Sequence, residues 1–381
     1  MLYFDNNATT PIGGNALNTF SQSLELDWFN PSSPYRSAAK VRAKLELLRE
    51  ELASIFSLNH DQLIFTSGAT ESNNAVFAHC STIQGGESRC LISPFEHPSV
   101  SDSAKKWFKD RIIYLPHDGD GKVLLNEVQS VLKKEKITLV SLMAANNESG
   151  VIQPWEELSE ICSSNGIFFH TDATQWIGKI GVSTFSNCTS FCGSGHKFNG
   201  PKGIGFLASK IPVNLICGGT QEFGLRGGTE NFPAIASMIT AFKDTETKID
   251  NIEERSVWRD NFENQILKKI PYSKVLGVSN QRLWNTSLLV LPKFNNLRWV
   301  SKLDKLGFQV STGSACTTGG IVDKNSMLET YSLDIDELKR VVRVSSYLSH
   351  TDEDWSKLQS AFEEAFDLLC DESSDLSVLS L

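Results

Sequence analysis

The 381-residue chain contains no apolar run approaching the roughly 18 residues that a membrane-spanning helix needs. Its start, Met1-Leu2-Tyr3-Phe4-Asp5, has neither the basic nor the apolar region of a secretory signal. A cytoplasmic location away from membranes is therefore expected. Basic charge is in deficit: 36 Lys and Arg against 45 Asp and Glu give a formal net charge of −9. Such a surface repels phosphate backbones, so direct nucleic-acid binding is not expected as a main task. Paired cysteines are also lacking. The eight cysteines are scattered, and none forms a C-x-x-C pair. Cys188 and Cys192 have the spacing of half a metal site, but no second pair completes it, so no metal is expected. Scattered cysteines of this kind are mostly small buried hydrophobes. There is no internal repeat and no low-complexity tract.

What the chain does have is short apolar runs alternating with helical patterns. Leu63–Thr66, Cys90–Ser93, Thr138–Met143, Ile167–Asp172 and Gly203–Ala208 read as strands, and 155–165 as one of the helices between them. Continuous apolar strands alternating with helices predict an α/β architecture with a largely parallel sheet. In such sheets, sites gather where strands end and loops begin. After about residue 245 the texture changes to a charged helical stretch (250–270) and shorter strands at Leu288–Leu291 and Val341–Val344. Residues 16–250 are expected to form a large domain, and residues 1–15 with 251–381 a smaller α+β domain. The tail from Asp371, rich in Ser, Asp and Glu, is expected to fray.

Four segments carry candidate chemistry. In Thr66-Ser67-Gly68-Ala69-Thr70-Glu71-Ser72-Asn73-Asn74 a strand gives way to small residues and a helix start, which suits an anion or a simple helix cap. Asp172, closing the apolar run before Ala173-Thr174-Gln175, lies at the sheet's carboxyl edge, as either a site acid or a helix cap. Lys197, in the glycine-rich loop Gly193-Ser194-Gly195-His196-Lys197-Phe198-Asn199-Gly200, suits a Schiff base if its amine is neutral; Lys202 is the nearby alternative. Cys316, in Ser311-Thr312-Gly313-Ser314-Ala315-Cys316-Thr317-Thr318-Gly319-Gly320, stands among small polar residues, and an exposed, mobile thiol nucleophile is expected there.

Taken in order, the motifs S-G-A-T-E-S-N-N, N-N-E-x-G, D-A-T-Q, S-G-H-K-x-x-G-P-K-G, R-G-G-T and S-T-G-S-A-C-T resemble those of the NifS/IscS-like cysteine desulfurases within the class-V aminotransferases. The likeness runs from Tyr3 to about Arg343. It implies the pyridoxal 5′-phosphate (PLP) fold type I, with a mostly parallel seven-stranded sheet in the large domain. By resemblance, Lys197 carries PLP as a Schiff base and Asp172 pairs with the ring nitrogen. His97 stacks on the ring and shuttles protons. Ala69, Thr70, Ser194 and His196 hold the phosphate. Gln175 and Asn147 lie on the phenolic-oxygen side. Asn147 and Arg343 bind the substrate, with Arg343 clamping its carboxylate. Thr229 reaches the phosphate of a partner subunit, which implies a homodimer with shared sites.

The activity implied is conversion of L-cysteine to L-alanine, with sulfur held as a persulfide on Cys316 and handed to an acceptor protein. Iron–sulfur assembly, tRNA thiolation and DNA phosphorothioation are the acceptor systems that fit. A selenocysteine lyase or another PLP-dependent class-V aminotransferase is the alternative activity. A non-catalytic partner protein of a sulfur pathway is the alternative class. Three positions depart from the family pattern: the stretch Cys217-Gly218-Gly219-Thr220-Gln221-Glu222, Gly193 before the S-G-H-K serine, and Ser149 in N-N-E-x-G.

Overall fold

A computed structural model describes residues 1–83, 89–182, 185–214, 216–249, 251–313 and 330–378, with side chains to residue 373. Its strands are β1 (Leu2–Tyr3), β2 (Leu63–Thr66), β3 (Arg89–Ile92), β4 (Ile112–Tyr114), β5 (Ile137–Ser141), β6 (Phe168–Asp172), β7 (Ser190–Ser194), β8 (Gly205–Ser209), β9 (Lys274–Val275), β10 (Thr286–Val290), β11 (Phe308–Gln309) and β12 (Val341–Ser345).

The main sheet has seven strands in the order β2-β8-β7-β6-β5-β3-β4. Every neighbouring pair from β7 through β4 is parallel. Strand β8 alone runs antiparallel, to both β7 and β2. Strands β5, β6, β7 and β8 are buried along their whole length, which is why β5, β6 and β8 read as unbroken apolar runs. Two reversals at β8 bring β2 back into the direction of β7. The carboxyl ends of β2, β3, β5, β6 and β7 therefore meet at one edge of the sheet, where loops collect in folds of this kind.

Helices cover both faces. The densest packing is aromatic: Phe185 stacks on Phe191 with ring centroids 4.1 Å apart, and Phe56 meets both Phe191 and Phe206 edge-on or tilted. A second core lies under the antiparallel sheet β12-β10-β9. There Trp299, Phe262, Trp355 and Phe362 pack with Phe4, which arrives from the chain's start. Strand β1 reaches this region by pairing in parallel with β11.

Two expectations are revised. Residues around Gly193 read as a glycine-rich loop, yet Gly193 lies inside buried β7. A Cβ there would come within 2.8 Å of the Phe206 ring, so the glycine admits a neighbouring aromatic and marks no turn. The tail does not fray at Asp371. The helix Asp352–Val378 continues, because Leu358, Phe362, Ala365 and Leu369 share one buried face, and Arg298 and Lys302 both pair with Glu372.

One buried ion pair shapes the approach to the site. Arg49, 1% exposed, grips Glu222 in a bidentate pair, with Nη1 2.6 Å from Oε2 and Nη2 2.8 Å from Oε1. Nη1 also donates to the Leu63 carbonyl, and Glu222 accepts from the Phe65 backbone N–H. Glu222 and Phe223 adopt left-handed backbone angles (φ 48° and 58°), a strained geometry held by these bonds. The pair thus fixes the segment leading to Arg226 and Thr229 against β2. Removing one partner strands the other charge in the interior. Arg49→Leu is expected to cost about 3–5 kcal/mol in chemical denaturation, and a loss below ~1 kcal/mol would show that the pair is not holding this segment.

Candidate active site

A cavity of about 850 Å³ opens at the sheet edge where the five strand ends meet. Among its walls are Ala69, Thr70, His97, Asn147, Asp172, Gln175, Ser194, His196, Lys197 and Arg343. The motifs are far apart in sequence; the shared strand direction is what brings them together.

Asp172 is the last residue of β6 and is buried. Its Oδ1 accepts from the Thr174 N–H at 3.0 Å, and its Oδ2 accepts from Asn73 Nδ2 at 2.8 Å. Asn73, on the helix Ala69–Thr82, has every hydrogen-bonding position filled. Its second Nδ2 hydrogen goes to Ser99 Oγ (2.8 Å), and its Oδ1 meets His170 Nε2 (2.8 Å) and the Cys192 thiol (3.1 Å). Burial pushes His170 down to about 4, so its ring is neutral at pH 7. Ser99 in turn bonds His97: its Oγ lies 2.9 Å from Nδ1, and its backbone N–H donates to the same nitrogen at 3.1 Å. One buried amide therefore ties Asp172 to the residue holding His97.

Across the cavity, β2 ends at Thr66 and the helix begins at Ala69 with no side chain capping it. Gly68 has φ 147°, a geometry that favours glycine, and a Cβ there would sit 3.4 Å from Ser194 Oγ. An open helix N-terminus beside a serine is a cradle for an anion. His196 flanks it, with Nδ1 3.1 Å from Thr9 Oγ1. Burial, then neighbouring Lys197 and Lys202, push His196 down to about 4.

Lys197 closes the short turn Gly195–Lys197 after β7. Its Nζ donates to the carbonyls of Asn7 (2.6 Å) and Ala8 (2.8 Å). Burial first, then the Arg343 guanidinium, push its pKa down to about 8, against the opposing pull of Asp172, Asp5 and Glu148. Lys202 borders the same cavity but is exposed. Gln175 donates from Nε2 to the Asn7 carbonyl at 3.1 Å and accepts from Lys179 at Oε1. Lys179 is fully buried, and burial together with Lys197 and Arg343 holds its amine well below the usual lysine range. Arg343, on β12, reaches in from the second core and bonds Asp5, Glu148 and the Asn147 carbonyl.

The class-V aminotransferase family model matches residues 2–358. The chain belongs to the class-V aminotransferase family. Cysteine desulfurase 2 of Trichormus variabilis is 31% identical over 351 residues, which is 91% of this chain and 88% of that one. A solved NifS-like protein superposes with a TM-score of 0.87 at 27% identity, over 96% of this chain and 99% of that one. SspA in complex with cysteine gives a TM-score of 0.76 at 27% identity, over 91% and 98%.

One expected residue of this class-V site stands apart from the cavity wall, and another is not described. Thr229 is exposed, beyond Arg226, whose Nε bonds Glu71 Oε1 at 2.9 Å in the first turn of the cradle helix. Cys316 lies outside the described residues; Ser311 and Gly313, shortly before it, border the cavity. Asn73, Lys179 and Asn7 were not singled out from sequence as site residues. The signal for Asn73 was present, because it sits inside the S-G-A-T-E-S-N-N motif.

A depressed pKa makes the amine neutral at lower pH. Reductive methylation of the cofactor-free chain, read lysine by lysine by mass spectrometry, is expected to reach half its maximal rate at Lys197 near pH 8. Ordinary surface lysines should still be accelerating toward about 10.4. A Lys197 profile matching theirs would contradict the burial argument.

Proposed function

We propose that this chain is a PLP-dependent cysteine desulfurase that moves sulfur from L-cysteine to Cys316 and releases L-alanine. The observation that carries the reading is an arrangement across one cavity. A lysine with a depressed pKa, a buried carboxylate and an uncapped helix N-terminus face the same space. The names of the relatives support the choice of substrate, as does the cysteine in the SspA complex.

The residues present fit the cofactor. The cradle at Gly68 and Ser194 suits a phosphate, and the buried Thr174 hydroxyl on the cavity wall has no partner among the described residues. In this reading the N-terminal turn at Ala69 and Thr70, with Ser194 and His196, holds the phosphate. Asp172 would hold a proton on the ring nitrogen, His97 would cover the ring, and Gln175 and Asn147 would serve its oxygen side. When bound, PLP supplies the electron sink that makes a bond at the amino-acid α-carbon breakable.

Lys197 anchors the aldehyde carbon between turnovers and takes the substrate's α-proton once released. Arg343 receives the substrate carboxylate. The Cys316 thiolate then forms a bond to the substrate sulfur as the Cβ–S bond breaks. That bond's electron pair stays with the β-carbon, which gains a proton; Lys197 returns a proton to the α-carbon, and L-alanine leaves. An acceptor protein afterwards takes the terminal sulfur. Thr229, exposed on its anchored segment, reaches the phosphate of a second copy in a homodimer. Residues 16–250 form the cofactor-binding domain; 1–15 and 251–381 form the smaller one, a division supported by Phe4 packing in the second core.

The purified chain with PLP and L-cysteine is expected to yield alanine and, with a reductant, sulfide. Cys316→Ala should bind PLP normally and lose at least about 99% of sulfide release, as expected when a covalent nucleophile is removed. Lys197→Ala should lose the visible absorbance of bound PLP. Full sulfide release by Cys316→Ala, or an unchanged spectrum in Lys197→Ala, would refute the assignment, the latter pointing to Lys202.

A further inference from the structure

The arginine assigned to the substrate carboxylate is already occupied by this chain's own acids. Arg343 Nη2 lies 2.6 Å from Asp5 Oδ1, and Nη1 lies 2.9 Å from Glu148 Oε1. Nη1 also donates to the Asn147 carbonyl at 3.2 Å. Two carboxylates on one guanidinium leave a net negative charge where an anionic ligand must land. The Arg343 and Glu148 side chains are only 6% and 10% exposed, so water screens this charge poorly.

Glu148 shows the marks of a held but incompletely satisfied group. Its Oε1 accepts from both Arg343 and Asn147 Nδ2. Its Oε2 is buried with no partner among the described residues, and a Cβ built on Gly313 would come within 2.5 Å of it. A carboxylate oxygen without a donor is costly to bury. The bidentate geometry open to an arginine and a carboxylate is therefore not used here. Asp5 is the more exposed of the two acids, at 21%.

We propose that Glu148 is a resident stand-in for the substrate carboxylate, displaced from Arg343 when an amino acid binds. The inference rests on the reading of Arg343 given above and adds a specificity device to it. Only a ligand bringing its own carboxylate replaces the charge and hydrogen bonds that Glu148 gives up. A thiol amine without a carboxylate, such as cysteamine, leaves the stand-in in place. If Glu148 served only to orient Arg343, its removal would weaken ligand binding. If it is a competitor, removal strengthens it.

The test is calorimetric titration of the PLP-loaded full chain with 3-mercaptopropionate. This ligand has the carboxylate and thiol of cysteine but no amine, so it cannot condense with an aldehyde. Glu148→Gln is expected to bind it about tenfold more tightly than the wild type, the scale of one charge-assisted hydrogen bond. Asp5→Asn, a milder change at the rim, should move affinity in the same direction by a smaller factor, and serves if Glu148→Gln does not fold. Unchanged or weaker binding in these variants overturns the proposal. Binding by wild type that Arg343→Lys leaves unaltered overturns the Arg343 reading itself, and the displacement with it.

Discussion

The site depends on the hydrogen bonding of one buried residue near the start of the chain, Asn7. It is 1% exposed and lies between the two cores. On one side its backbone N–H donates to Ser345 Oγ, and its side chain bonds Thr286 and Asn285. On the other, its amide donates to the Asn147 carbonyl, and its own carbonyl accepts from Gln175 and Lys197. Buried polar groups must be paired, so this residue fits only when both cores are in register. One of these six bonds holds the Lys197 amine. Thr10 extends the seam, bonding the His196 carbonyl and accepting from the Asn199 N–H.

Around that seam, burial governs the chemistry more than any single charge. Lys197, Lys179 and His196 all have pKa values pushed down, with desolvation the largest cause in each. Acids respond in the opposite sense. Glu96, fully buried beside Asp172 and accepting only from the Met143 N–H, is held well above the usual carboxylate range. A low-dielectric pocket of this kind favours neutral amines, neutral imidazoles and a neutral carboxyl group. Arg343, on the cavity wall, keeps two anions at contact, because a guanidinium does not give up its proton. The cavity therefore combines a lysine of lowered pKa with an arginine held by two carboxylates.

Much of this was readable from local pattern. The five apolar runs became buried strands, and residues at or just beyond their ends, Asp172 among them, became cavity wall. Lys197 and Arg343 were identified by motif. What sequence pattern could not reveal was pairing at long range. Asn73 matters because it meets Asp172, 99 residues away, and Asn7 because it meets Asn285, 278 residues away. No periodicity encodes such contacts. Lys179 was hidden for another reason: lysines are rarely fully buried, and nothing near it signals that this one is. The pairing of Arg343 with Glu148 and Asp5 likewise appears only once β12 is placed beside the chain's start.

In the proposed reaction, sulfur passes through this cavity to Cys316 and to no other thiol. Cys217 is exposed, and Cys80, Cys90, Cys162, Cys188 and Cys192 are buried with pKa values pushed up by desolvation. The direct measurement is peptide mapping by mass spectrometry of the PLP-loaded chain after a single turnover with sulfur-labelled L-cysteine and no reductant. The account predicts one added sulfur atom on the Cys316 peptide, in step with alanine formed. Alanine released with the label on Cys217, or with no labelled peptide, would contradict it.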